Sequence, residues 1–149
     1  MPSTSVTRSF EILLAEDNSA DVALVRRALQ HHQIDCVLHV IRDGSEAINW
    51  ITSLDADTKS LPLDLVLLDM HLPKRDGEDI LRHLRSTERY AQTPVIVMTA
   101  WDSGKIEKMA LKHAALSYFP KPSNIDEFMQ LGEVVQQILA RRARVRGSA

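Results

Sequence analysis

Leu65-Val66-Leu67-Leu68-Asp69-Met70-His71-Leu72-Pro73 is the stretch on which the fold turns. An aliphatic run with no polar face fits a parallel strand covered on both sides. Asp69 closes the run, and open α/β sheets put their ligand sites just outside the carboxyl ends of their strands. An earlier run, Ile12-Leu13-Leu14-Ala15, closes on Glu16-Asp17 in the same way. Neighbouring strands would gather these three carboxylates at one sheet edge. Like charges that close repel unless a cation sits among them.

Working outward, five strand-like runs alternate with helical patterns: Phe10–Ala15, Cys36–Ile41, Leu63–Leu68, Pro94–Thr99 and Leu116–Phe119. The first helix follows Asn18-Ser19-Ala20-Asp21, where Asn18 and Asp21 have capping-box spacing, and its core stripe is Val22, Val25, Ala28 and Leu29. A second carries Ala47, Ile48 and Ile51, a third Ile80, Leu81 and Leu84, and a fourth Ile106, Met109 and Ala110. A fifth starts near Asn124. Thr52–Leu61 reads as a polar connection. Strict alternation predicts an α/β, doubly wound, five-stranded parallel sheet with helices on both faces. Residues 8–142 form the expected domain, with 1–7 and 143–149 as short tails and no output domain.

The bulk numbers exclude several classes. At 149 residues and 44% hydrophobic content the chain suits one globular domain. A formal charge of −2 argues against a general nucleic-acid binder. No stretch approaches the ~20 apolar residues of a membrane span. The N-terminus lacks a secretory apolar region, and a lone Cys36 in a strand-like segment fits a reducing compartment, so a cytoplasmic location is expected. The histidines lack metal-ligand spacing, and His31-His32 reads as a helix C-terminus complementing the dipole. His39, His83 and His113 read as structural or surface residues.

Glu16-Asp17, Asp69, Thr99 and Lys121-Pro122 all fall at carboxyl ends of expected strands. Asp17 and Asp69 are hard oxygen donors of the kind Mg²⁺ prefers. Lys121 is a compact cation able to balance Asp69 or an incoming phosphoryl group, and Thr99 offers a hydroxyl. Acids, lysine and hydroxyl together describe phosphoryl transfer to a carboxylate. Taken singly, each could be a solvated strand end or a surface charge.

Four motifs in order carry a family resemblance: Ala15-Glu16-Asp17-Asn18, Leu67 to Gly77, Val97-Met98-Thr99-Ala100 and Tyr118-Phe119-Pro120-Lys121-Pro122. From about Phe10 to Leu139 the chain resembles the receiver domain of a two-component response regulator, within it the small stand-alone receivers that partner bacterial phytochromes. That resemblance implies a flavodoxin-like sheet of order 2-1-3-4-5. It implies that Asp69 accepts a phosphoryl group from a sensor histidine kinase, a bacteriophytochrome being one candidate. Asp17 and Asp69 would bind Mg²⁺ with the His71 carbonyl, Glu16 acting through water. Thr99 and Lys121 would engage phosphoryl oxygens, Tyr118 would be the aromatic switch, and the Lys121-Pro122 bond would be cis.

Some residues depart from the family pattern. Ala114-Ala115 stands where glycine often ends helix four, and Pro120, lacking an N–H, requires an edge strand or strand end. Trp101, two residues past Thr99, is expected to overhang the site and slow attack by water. Aspartyl-phosphate hydrolases carry a second Asp two residues after the nucleophile, where this chain has His71. A phosphate sink for a shared kinase is an open alternative, a hydrolase a weaker one. The apolar positions from Ile125 to Leu139 span roughly 220° of helix five, more than the ~100° that covering a sheet needs. The excess points to a homodimer through helix four, strand five and helix five, or to a kinase-docking face. The Arg141 to Arg146 tail fits a helix C-terminus better than a nucleic-acid contact.

Overall fold

Strand β1 (Phe10–Ala15) lies between β2 (Cys36–Ile41) and β3 (Leu65–Asp69), with β4 (Val95–Thr99) and β5 (Ser117–Pro120) following outward. All pairs are parallel, giving the expected order 2-1-3-4-5. The computed structural model describes residues 9–57, 59, 62–100, 104–115 and 117–147. The helices are α1 (Ser19–His31), α2 (Gly44–Ala56), α3 (Gly77–Ser86), α4 (Gly104–Lys112), α5 (Ile125–Phe128) and α6 (Gln130–Gly147).

Side chains alternate across the sheet, so each strand feeds two cores. Leu13, Val66, Leu68 and Val97 join Ala47, Ile51, Ile80, Leu81, Leu84 and Ala110 of α2, α3 and α4. Ile12, Leu14, Leu65, Leu67, Ile96 and Met98 meet Val22, Val25, Ala28 and Leu29 of α1 and Phe128, Leu131 and Val135 of α5 and α6. All five residues of β3 are buried, as the unbroken run requires. Asn18, Asp43, Asp76 and Asn124 cap their helices, each side chain accepting backbone N–H groups of the first turn.

Three helices differ from the sequence expectation. The polar connection from Thr52 begins as helix, because Leu54 continues the apolar stripe and α2 runs to Ala56. Arg89 secures that end, its guanidinium donating to the Leu54 and Asp57 carbonyls at 3.0 and 2.5 Å. Helix five is two helices. At Met129 the carbonyl accepts from Gly132 N–H at 3.1 Å and from the His32 ring at 3.1 Å, which tightens the turn and separates α5 from α6. Past residue 142 the chain is still helical, to Gly147.

The wide apolar arc also has an internal explanation. α5 and α6 pack against α1 as well as the sheet, so Phe128, Leu131, Val135, Ile138 and Leu139 are buried, Met129 and Val134 half-buried, and only Ile125 of that set stays exposed, at 49%. Gly132 permits this close crossing: a Cβ there would overlap the His32 ring and lie 2.5 Å from the Ala28 carbonyl oxygen. Arg142 ties the last helix back to the segment entering β3, with Nε 3.5 Å from the buried Asp64 carboxylate.

Arg85, which no motif marked, binds the far end of the sheet together. Its guanidinium donates to the carbonyls of His113, Ala91, Thr93 and Ala114 at 2.8–3.1 Å, joining α3 to the exit of α4 and the entry to β4.

The α4 exit shows what alanine does in glycine's place. Ala114 adopts φ 57° and Ala115 N–H bonds the Ala110 carbonyl at 2.8 Å, a Schellman-type ending with a side chain in the left-handed region. Ala114→Gly should relieve that strain and stabilise the fold by about 0.5–1 kcal/mol, net of glycine's greater unfolded freedom. Urea unfolding with an unchanged m value checks it. A lower midpoint would contradict it.

Candidate functional site

The β1–β3 register, with Ala15 opposite Leu68, carries Glu16-Asp17 beside Asp69. Carboxylate oxygens of the three lie within 4.8 Å of one another. Glu16 and Asp69 are buried, whereas Asp17 is exposed. Such crowding needs positive charge, and Lys121 supplies it from the loop after β5. Its Nζ lies 2.5 Å from Glu16 Oε1, 2.8 Å from Asp21 Oδ2 and 3.6 Å from Asp69 Oδ2, with its side chain only 8% exposed.

Pro120 explains how the lysine reaches that point. It pairs with Thr99 at the sheet edge, where its missing N–H costs nothing, and Lys121 N–H then donates to the Thr99 carbonyl at 2.7 Å. The Lys121-Pro122 bond is not cis; among the described residues no peptide bond is. The trans form is the intrinsically favoured one, and the lysine meets its partners with it.

Asp21 is the residue that sequence reading missed. Its position three after Asn18 suggested a capping box, but the reciprocal half is absent. Asn18 N–H donates to Glu16 Oε2 at 3.2 Å instead, leaving the Asp21 carboxylate free to turn to Lys121. An acid in the first turn already has a sufficient local reason in the helix dipole, so nothing in the spacing betrayed a second role.

The remaining residues surround this cluster. His71 is exposed, and its backbone N–H donates to Asp69 Oδ1 at 3.2 Å. Thr99 is fully buried at the end of β4, one position beyond the register partner of Asp69. Tyr118 is half-buried and packs against the core on the α2, α3 and α4 side. Trp101 lies outside the described residues. Three more histidines have side-chain partners: His39 with Glu11 at 2.8 Å, His83 with Thr52 at 2.9 Å and His113 with Glu78 at 3.3 Å. Cys36 is half-buried; burial first, then Asp35 and Glu11, raises its thiol pKa, as suits an inert thiol.

Electrostatics follow from the crowding. Burial foremost, then a hydrogen bond with Asp69, pushes the Glu16 carboxyl up from 4.5 to about 7, against the opposing pull of Lys121. Burial works to lower the Lys121 ammonium, yet hydrogen bonds to Asp21 and Glu16 and the charge of Asp69 outweigh it, and the group is held above its ordinary value. Three oxygen donors, one open to water, fit a hard divalent cation such as Mg²⁺. Asp69 combines a hydrogen-bonded oxygen with one facing Lys121 beyond hydrogen-bond distance, an arrangement suited to a nucleophilic carboxylate.

Comparison with known proteins adds independent findings. The sequence pattern of the response regulator receiver domain matches residues 12–133. The probable methanogenesis regulatory protein FilR2 of Methanothrix harundinacea is 32% identical over 86% of this chain and 82% of its own length. Response regulator Rcp1 of Synechocystis is 36% identical over 59% of this chain, a match that spans 60% of Rcp1. Among solved structures, the phosphorylated cyanobacterial phytochrome response regulator RcpA superposes with a TM-score of 0.77 at 26% identity, covering 87% of this chain and 93% of that one. The Mn²⁺-bound form of Rcp1 gives 0.75 at 28%, covering 85% and 91%.

The raised Glu16 value has a testable sign. A carboxyl whose folded pKa exceeds its unfolded one contributes stability below about 4.5 and loses it as pH rises through about 7. A divalent cation displaces the proton and cancels that loss. The melting temperature in Mg²⁺ minus that in chelator should therefore widen from about pH 5 to about pH 8, and Glu16→Gln should flatten the trend. A difference independent of pH in the parent protein would contradict it.

Proposed function

The chain belongs to the response regulator receiver domain family, and on that premise we propose that it accepts a phosphoryl group on Asp69 from the phosphohistidine of a sensor histidine kinase. The observation that carries this reading is the partly buried Asp69–Glu16–Asp17 cluster with the Lys121 ammonium set into it.

In the transfer, an Asp69 carboxylate oxygen attacks phosphorus, an O–P bond forms, and the N–P bond to the kinase imidazole breaks. The imidazole leaves with the bonding pair. His71 N–H holds the other Asp69 oxygen and so fixes the direction of attack. Lys121, not yet bonded to Asp69, is within reach of a phosphoryl oxygen, and the Thr99 hydroxyl is the second donor. Glu16, Asp17 and Asp69, with the His71 carbonyl, would hold Mg²⁺, whose charge neutralises phosphoryl oxygens that would otherwise be repelled by the carboxylates. The same groups support self-catalysed phosphorylation and dephosphorylation rather than turnover of a separate substrate.

The likeness to the cyanobacterial phytochrome response regulator RcpA supports a phytochrome-type kinase as the donor. For output, the face made by α4, β5 and the α5–α6 pair is the candidate surface, because Leu111 on α4 and Ile125 on α5 are 70% and 49% exposed. Tyr118 on β5 would relay occupancy of Thr99 to that face, and a second copy of the chain is the expected occupant. No described helix is long and apolar enough to cross a membrane.

Acetyl phosphate with Mg²⁺ should add the mass of one phosphoryl group to the intact protein, located by fragmentation at Asp69. Asp69→Asn should abolish the gain, and Lys121→Ala or Thr99→Ala should slow it at least about tenfold. A parent protein that gains no mass would overturn the assignment. Labelling by one kinase among many, followed over short times, would identify the donor.

A further inference from the structure

Lys121 has one ammonium and three carboxylate neighbours, and the distances rank them. Glu16 at 2.5 Å and Asp21 at 2.8 Å are hydrogen-bonded, whereas Asp69 at 3.6 Å is not. Asp21 differs in kind from the other two. It belongs to α1, its backbone is fixed by the Asn18 cap at 3.1 Å, and it stands outside the Glu16–Asp17–Asp69 cluster that fits a cation. Its side chain is 23% exposed against 0% for Glu16, so it holds the lysine from the solvent side of the site.

On the reading of Asp69 as phosphoacceptor, we propose that Asp21 is a positioning residue that tethers Lys121 toward α1 and so opposes its engagement of the phosphoryl group. The lysine must exchange the Asp21 carboxylate for a phosphoryl oxygen when Asp69 is modified. The bond to Asp21 is a charge-assisted hydrogen bond largely screened from water, so breaking it costs more than breaking a surface pair. The aspartate therefore weakens the phosphorylated-like state and keeps the resting state favoured. It does so without touching the reacting atoms.

Beryllofluoride in saturating Mg²⁺ serves as the phosphoryl probe, with affinity read by titration calorimetry. Asp21→Asn, which keeps the shape and removes the charge, should bind beryllofluoride about three- to tenfold more tightly than the parent. Asp21→Glu, which restores a carboxylate, should return affinity to within about twofold of the parent. A tether acts by contact, whereas a general field effect is screened, so the gain should persist at about 0.5 M salt. Asp21→Ala is the second variant and should show the same gain. Unchanged or weaker binding by both charge-removing variants, or a gain that vanishes in high salt, would overturn the tether while leaving the phosphoacceptor reading intact. If the parent itself binds no better than Asp69→Asn, the phosphoacceptor reading falls first and takes this inference with it.

Discussion

Everything at the working edge of this protein depends on a shared cation. Glu16, Asp21 and Asp69 converge on the Lys121 ammonium, and two of those acids are buried. Unpaired carboxylates so placed would be costly, because charge taken out of water must find a partner. The lysine offsets that cost at rest, but only in part. Glu16 still sits near pKa 7, chiefly because it is buried and then because Asp69 lies beside it, and that buried acidic pair with Asp17 is where a divalent cation can enter. A site balanced in this way is poised between two cations, one fixed to the chain and one recruited from solution, and on the proposed reading a phosphoryl group on Asp69 would draw both toward it.

The fold exists to make that convergence rigid. β3 is buried along its whole length, so Asp69 is presented from an element with no freedom to slide. The loop that follows is equally confined: a Cβ on Gly77 would come within 2.8 Å of the Asp69 carbonyl oxygen and the Met70 sulfur. On the other side, Pro120 ends the edge strand and hands the ladder to Lys121 N–H, which fixes the root of the lysine against Thr99. Each constraint is local, yet together they hold segments drawn from Leu65 through Lys121 in one place.

Much of this was legible in the sequence, for identifiable reasons. Unbroken aliphatic runs have a single economical use in a small α/β protein, so the parallel sheet and the placing of Glu16, Asp17, Asp69, Thr99 and Lys121 at strand ends followed from pattern and spacing, while the strand order 2-1-3-4-5 came with the family resemblance. What stayed hidden depended on contacts between distant segments. Asp21 had a local explanation that masked its bond to Lys121. The second face covered by the last helices was α1, made possible by Gly132 and the His32 ring, where sequence reading looked to a partner. Arg85 carries no motif at all, because bonding four carbonyls leaves no spacing rule behind. The trans bond at Pro122 ran against a family expectation rather than a physical one.

The most direct examination of the shared-cation account is a crystal structure of the protein with Mg²⁺ and beryllofluoride. The account predicts beryllium on an Asp69 oxygen, Lys121 Nζ within hydrogen-bond distance of a fluoride, and the Asp21 carboxylate no longer bonded to the lysine. Beryllofluoride bound away from Asp69, or a Lys121 that keeps its resting partners with fluoride unmet, would contradict it.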